Sequence, residues 1–253
     1  MKKKVYVKDL GQNRPYKEIW DLQESLLHDN VRIKFEKSQA SKENSDPANK
    51  NEATRKAGDA PQTKNHFLLV EHNPVFTIGK NGEITHVLIN EEEREKKGIE
   101  LYRVNRGGDI TFHGPGQIVG YPIIDLDTFK PDLGWYLRNL EEVIILTLME
   151  YGVTAGRSPG ETGVWLDHGI SGKERKICAM GVRCSRWITM HGFALNVNTP
   201  LHYFNYIIPC GIQNKQVTSL QKEVGYEVPM EEVKQKVKKN FQVVFDVEII
   251  EQS

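Results

Sequence analysis

Few residues in this chain are able to do covalent chemistry, and one of them has the flanks expected of a turn. Cys210 lies between Pro209 and Gly211. Proline locks φ and glycine admits conformations closed to other residues, so the pair is expected to hold the thiol at a fixed place near the surface of a cleft. A free thiol is mostly protonated at neutral pH, and an adjacent ammonium favours the nucleophilic thiolate. Lys176, which opens the run from 176 to 182, is the candidate ammonium. Beside the thiol it would also accept and return protons during acyl transfer. The two are far apart in sequence, so only the fold can bring them together.

A second signal is the stretch 106–117, which holds four glycines and one proline in twelve residues. It separates apolar strand-like runs at 99–104 and 118–124. So much glycine between strands points to a loop of unusual shape that lets a ligand approach the backbone. Arg106 at its head and His113 in its middle are its polar handles. His191 precedes Gly192, again a place where backbone can approach a ligand. On residue types alone, His113 or His191 serving as base to Cys210 would make a cysteine hydrolase. A zinc site built from the same residues is the weaker alternative. Cys178 and Cys184 have no Cys-x-x-Cys mate and read as structural.

The elements that must position these residues follow from periodicity. Strands are expected at 5–10, 67–71, 75–78, 163–166, 176–183, 189–197 and 243–250, and helices at 16–34, 91–97, 134–151 and 229–241. Leu137, Leu140, Val143, Ile144 and Leu148 carry the three-four spacing of a helix packed on a sheet. This order of strands and helices suggests an α/β or α+β fold with a mixed sheet. Residues 38–65 contain no Val, Ile, Leu or aromatic residue, and they read as a solvated insertion within one domain spanning 1–253.

Composition narrows the function classes. The 253 residues carry 34 basic and 34 acidic side chains, so a globally basic nucleic-acid binder is not indicated. No apolar run approaches the length of a membrane span, and the basic start lacks a signal-peptide core. Three cysteines do not make a disulfide framework. A reducing cytoplasm fits best.

Taken together, the motifs resemble those of the octanoyl-[acyl-carrier-protein]:protein octanoyltransferases of lipoate biosynthesis. The match covers 106–117 with Tyr121 and Pro122, then 71–79, 176–181, 191–197 and 209–211, in the family's order. The resemblance implies the biotin/lipoate protein ligase catalytic-domain fold, a mixed β-sheet flanked by helices. It implies Cys210 as the acyl-thioester nucleophile and Lys176 as the lysine that lowers its pKa and moves protons. It also implies a substrate site lined by Arg106, Gly107, Gly108, Asp109, Ile110, Thr111, Phe112 and His113, by Ala179, Met180 and Gly181, and by Gly192, Phe193 and Ala194. The implied donor is octanoyl-acyl carrier protein. The implied acceptors are lipoyl domains of 2-oxoacid dehydrogenase acyltransferase subunits and the glycine cleavage H protein.

No metal, cofactor or ATP is expected in that reaction, because exchanging one thioester for another is near neutral and amide formation is downhill. A lipoate or biotin ligase of the same fold, which activates a free acid with ATP, is the alternative. Lys173, Arg175, Lys176, Arg183 and Arg186 would add a local positive field toward acidic partner proteins.

Overall fold

Alternation along β1 (Lys3–Asp9) buries Val5 and Val7 on one face, and the same period-two rule builds the larger of two sheets. The computed structural model describes residues 2–43, 61–170, 172–208 and 216–252. The large sheet runs in the order β10 (Gln216–Val217), β8 (Arg175–Ser185), β9 (Ile188–Asn196), β6 (Gln117–Ile123), β2 (Asn65–Val70), β1, β11 (Val247–Gln252), with β7 (Val164–Leu166) also paired to β8. Its centre is antiparallel from β8 through β2, whereas β1 is parallel to both β2 and β11, and β10 is parallel to β8. A second, three-stranded sheet runs β4 (Glu100–Arg103), β3 (Val75–Ile78), β5 (Ile110–His113).

Helices cover both faces of the large sheet. On one side, α3 (Leu133–Met149) and α5 (Met230–Phe245) bury Val143, Val237 and Phe241 against Phe67, Phe193 and Leu195. On the other, α1 (Tyr16–Glu43) sets Ile19 and Leu27 against Leu68, Val119, Tyr121 and Met190. The expected mixed sheet with flanking helices is the fold observed. Glu141, on α3, is fully buried; its carboxylate accepts from the Gly163 N–H and the Arg157 Nε–H, each at 3.0 Å. Those bonds tie the entry to β7, and so the Lys176 end of β8, to the helix layer.

Four boundaries differ from the sequence expectation, each for a physical reason. First, α1 continues past residue 34 to Glu43, because Lys, Glu, Gln and Ala are good helix formers with or without an apolar stripe. Second, residues 110–113 form a strand, β5, inside the glycine-rich stretch read as one loop; β3 offers it an open edge, and Thr111 and Phe112 suit a pleat. Third, α5 runs to Phe245 and ends at Asp246 with φ 49°. The last strand therefore begins at Val247, the β-branched pair Val243 and Val244 having suggested an earlier start. Fourth, β10 and α4 (Leu220–Val224) were too short to give a pattern.

Residues 44–60 of the expected insertion lie outside the described residues. Its C-terminal flank is held by polar bonds, with the Asn30 side chain pairing both backbone groups of Lys64 and Thr63 Oγ1 donating to Asp125 at 2.8 Å. Among the described residues no helix is long and apolar enough to cross a membrane.

Candidate active site

A pocket of about 770 Å³, counting its open mouth, lies over the α1-facing side of the β6–β9–β8 strands. Its floor comes from the register. Ala179 pairs with Ala194 and Gly181 with Gly192, so four small side chains make a shallow track along the two strands. Gly181 cannot be larger: a Cβ there would stand 2.7 Å from the Gly107 carbonyl and 3.2 Å from Arg106 Cδ. The close approach lets the Gly107 N–H donate to the Val182 carbonyl at 3.0 Å, which seats the 106–113 stretch over the floor.

Arg106 is the anchor of that roof. Its Nη2 donates to the Thr77 carbonyl at 2.7 Å and to Thr77 Oγ1 at 3.0 Å, and its Nη1 donates to Gly107 O. His113 is held by a chain of amides. Gln117 Nε2 donates to Phe112 O at 3.1 Å and Asn196 Oδ1 at 2.9 Å, so Gln117 Oε1 must accept the proton on His113 Nδ1, 2.9 Å away. Asn196 Nδ2 in turn donates to Thr218 O. His72 donates through Nδ1 to the Arg14 carbonyl and accepts from the Tyr121 hydroxyl at 2.8 Å. Tyr16, from α1, stacks on His113 with ring centres 6.0 Å apart.

Burial beside the Arg106 guanidinium makes this wall electrically quiet. Desolvation takes His72 down to about 4; desolvation, then the Arg106 charge, takes His191 to about 3. His113 falls well below its ordinary value, first through burial and then through His72 and Arg106. Burial likewise pushes the Tyr16 and Tyr121 phenols upward. All three imidazoles are therefore neutral at pH 7. Such a wall suits a neutral acyl group, and Arg106 contributes a fixed positive charge that is already bound to carbonyl oxygens.

Lys176 lines the other end of the pocket, its Nζ 4.5 Å from the centre of the Trp165 ring and its backbone beside Val217 of β10. Cys210 falls within 209–215, outside the described residues. After that segment Gln216 pairs with Arg175, next to Lys176, and before it Ile208 donates its N–H to the carbonyl of His86, whose ring meets the pocket residue Asp109. Phe204 and Val217 are themselves pocket residues. Cys178 is fully buried with its thiol pushed strongly up by desolvation, and Cys184 is raised for the same reason. Both fit the structural reading.

Of the expected substrate residues, Arg106, Gly108, Asp109, Ile110, Thr111, His113, Ala179, Met180, Gly181, Gly192, Phe193 and Ala194 line the pocket together with Lys176. Gly107 and Phe112 do not. Strand alternation turns Phe112 to the far side of β5, where it stacks on Tyr203 at 4.4 Å and meets Phe76 edge-on. Gly107 is used by its backbone. Sequence reasoning missed Gln117, Val119, Tyr121 and Asn196, which the same alternation along β6 and β9 would have found. It also missed Tyr16, for which no local signal exists.

Two of the five side chains of the expected positive field are offset by acids. Arg175 is paired with Asp167 and Glu223, and Arg183 with Glu24 at 2.7 Å. Among the described residues no cluster of three His, Cys, Asp or Glu is arranged to hold a metal ion.

Comparison with known proteins accords with this geometry. The family described as the lipoyl protein ligase A/B catalytic domain matches residues 49–242. An octanoyltransferase of Christiangramia forsetii is 52% identical over 250 residues, covering 98% of this chain and 99% of that protein. An octanoyltransferase of Flavobacterium johnsoniae is 53% identical over 251 residues, covering 99% of this chain and all of the relative. The fold also matches the crystal structure of a lipoate-protein ligase A bound with ATP, with a TM-score of 0.65 at 15% identity over 100% of this chain and 89% of that one. The family match and these relatives, similar over nearly the whole chain, show that it belongs to the octanoyltransferases, within the lipoyl protein ligase A/B catalytic-domain family.

Proposed function

We propose that this chain transfers an octanoyl group from octanoyl-acyl carrier protein to the acceptor lysine of lipoyl domains, through a thioester on Cys210. The acceptors meant are the lipoyl domains of 2-oxoacid dehydrogenase acyltransferase subunits and the glycine cleavage H protein. The observation that supports this reading is a small-residue track with neutral walls, lined also by Lys176 and by Val217, which pairs with Lys176 soon after 209–215. An eight-carbon chain lying on the track would gain on the order of 5 kcal/mol from burial, at about 0.8 kcal/mol per methylene.

In this mechanism the Cys210 thiolate attacks the donor's thioester carbon. The bond to the carrier's sulfur breaks, and that sulfur leaves with a proton from Lys176. The acceptor lysine's amine then attacks the new thioester. A C–N bond forms, the bond to Cys210 breaks, and Lys176 takes up the proton the amine loses. Backbone N–H groups of the glycine stretch are the proposed oxyanion donors. The sequence needs neither ATP nor a metal, and a reducing compartment such as the cytoplasm keeps Cys210 a thiol.

The test is intact-protein mass spectrometry after incubation with octanoyl-acyl carrier protein and no ATP. A gain of one octanoyl group, absent in Cys210→Ala, is the expected result. No adduct, together with octanoylation of a lipoyl domain from free octanoate only when ATP is added, would assign the chain to ligase chemistry instead.

A further inference from the structure

Trp165 is among the largest buried side chains of the described residues, at 2% exposure, and it stands directly across a strand pair from Lys176. Alternation along β7 puts it there. Val164 and Leu166 turn into the core shared with α3 and α5, so Trp165 between them faces the other side of the sheet. Its backbone is fixed by Gly156, whose N–H donates to the Trp165 carbonyl at 2.8 Å and whose carbonyl accepts the Trp165 N–H at 2.9 Å.

Strict alternation would put Lys176 on the opposite face from Trp165. Cys178 pairs with Val164 and enters the same core, and residues two apart on a regular strand share a face. The register breaks at this point. Val164 pairs with Cys178 but Trp165 pairs with Lys176, which leaves Ile177 as the extra residue of a β-bulge. Ile177 and Cys178 therefore both enter the core, each at 0% exposure, and Lys176 is turned to the Trp165 side, where it lines the pocket. The bulge is held from both edges of β8. Gly163, at φ 116°, comes so close that a Cβ would stand 2.5 Å from the Cys178 carbonyl. From β10, Thr218 donates its N–H to the Lys176 carbonyl at 3.0 Å.

The bulge thus sets an ammonium over an aromatic face, with Lys176 Nζ 4.5 Å from the centre of the Trp165 ring. The negative face of an indole attracts a cation, and the attraction strengthens where water is excluded. A ring differs from a carboxylate in one respect that matters to a proton carrier. It steadies the ammonium but has no lone pair with which to take the proton away.

We propose that Trp165 is the positioning residue for Lys176, its indole face holding the ammonium at the pocket through a cation–π contact. This rests on Lys176 being the proton carrier of the reaction described above. Both half-reactions gain from the contact. The first needs an ammonium beside a thiolate, and the second ends with Lys176 holding the proton that the acceptor amine has lost. The bulge at Ile177 and the ring at Trp165 then form one device, the first turning the lysine and the second steadying it.

The experiment replaces Trp165 alone, by nonsense suppression, with tryptophans carrying one, two and three ring fluorines. Fluorine drains charge from the ring face while nearly keeping its shape, so folding is preserved and an unchanged melting temperature checks this. Single-turnover acylation by octanoyl-acyl carrier protein, followed by intact mass, should slow about 2-fold with each fluorine, and Trp165→Leu should slow it about 10-fold or more. In Lys176→Met the residual rate should not respond to fluorine. A rate flat across the series would overturn the proposal even if Trp165→Leu is slow, because bulk alone would then account for the loss. An equal fluorine effect in Lys176→Met would overturn it too, since the ring would not be acting through the lysine. No adduct on the wild type would overturn the octanoyl reading and the positioning role with it, whereas a normal wild-type adduct with a flat series would overturn the positioning role alone.

Discussion

Gln117 supports the roof of the pocket with three hydrogen bonds and almost no exposure, so replacing it by leucine tests how that roof is held. At 1% exposed, Gln117 donates to Phe112 O and Asn196 Oδ1 and accepts from His113 Nδ1, all within 3.1 Å. Leucine fits the volume but meets none of the three. Each buried partner left alone costs about 1–3 kcal/mol, and leucine returns about 1–2 kcal/mol by apolar transfer, for a net loss of about 4 kcal/mol. Asn196 cannot compensate by flipping, because its Nδ2 is already given to Thr218 O. Against a typical stability of about 5–15 kcal/mol, such a loss should move a urea midpoint down by more than about 1 M. Gln117→Glu sharpens the test at pH 7. It keeps an acceptor for His113 but turns a carboxylate onto Phe112 O and Asn196 Oδ1, so it should cost at least as much. Losses below about 1 kcal/mol in both variants would refute the reasoning.

Stability should also fall with acid. His72 and His191 sit at about 4 and about 3 in the fold against 6.5 in the free side chain, so the unfolded chain binds protons that the fold refuses. Their contribution is whole above pH 6.5 and falls as the pH drops toward 4, by about 2–3 kcal/mol for each histidine at pH 4.5; a urea midpoint unchanged between pH 7 and 4.5 would contradict this. Gly181→Ala puts a methyl 2.7 Å from Gly107 O, so acyl transfer should drop about 10-fold or more while overpacking costs only about 1–3 kcal/mol; unaltered kcat/KM would show that the roof is not seated there. Cys178, fully buried with a raised thiol pKa, should resist iodoacetamide in native buffer and react in urea, and native alkylation read by peptide mass would refute its burial.

Much of this architecture is legible in residue patterns, because a sheet buried between helix layers leaves its period in the chain. The three-four spacing of Leu140, Val143, Ile144 and Leu148 on α3 and the alternation of β1 each name their own faces. What stays hidden depends on partners distant in sequence. Residues 110–113 become a strand only because β3 offers an edge, and the apolar tail of α5 reads as strand until the left-handed turn at Asp246 is seen. The chemistry follows the same division. Lys176 and the small-residue floor sit in motifs whose spacing is local. Tyr16 reaches the pocket from an element with no motif of its own, and His191 faces it only through a backbone angle that no side-chain pattern encodes.

One pairing also governs how the molecule is assembled. β1 takes β2 on one side and β11 on the other, with Val5 meeting Asn65 and Ile249 across the two ladders. The β1–β2 contact closes early, whereas the β1–β11 contact closes a loop that contains almost every other element, and the entropy of that closure is met late. During synthesis β1 is therefore an uncovered edge, with Val5 and Val7 aligned beside unpaired N–H and C=O groups, until α5 docks and carries β11 in behind it. That interval is when the chain is most prone to pair with a second copy of itself.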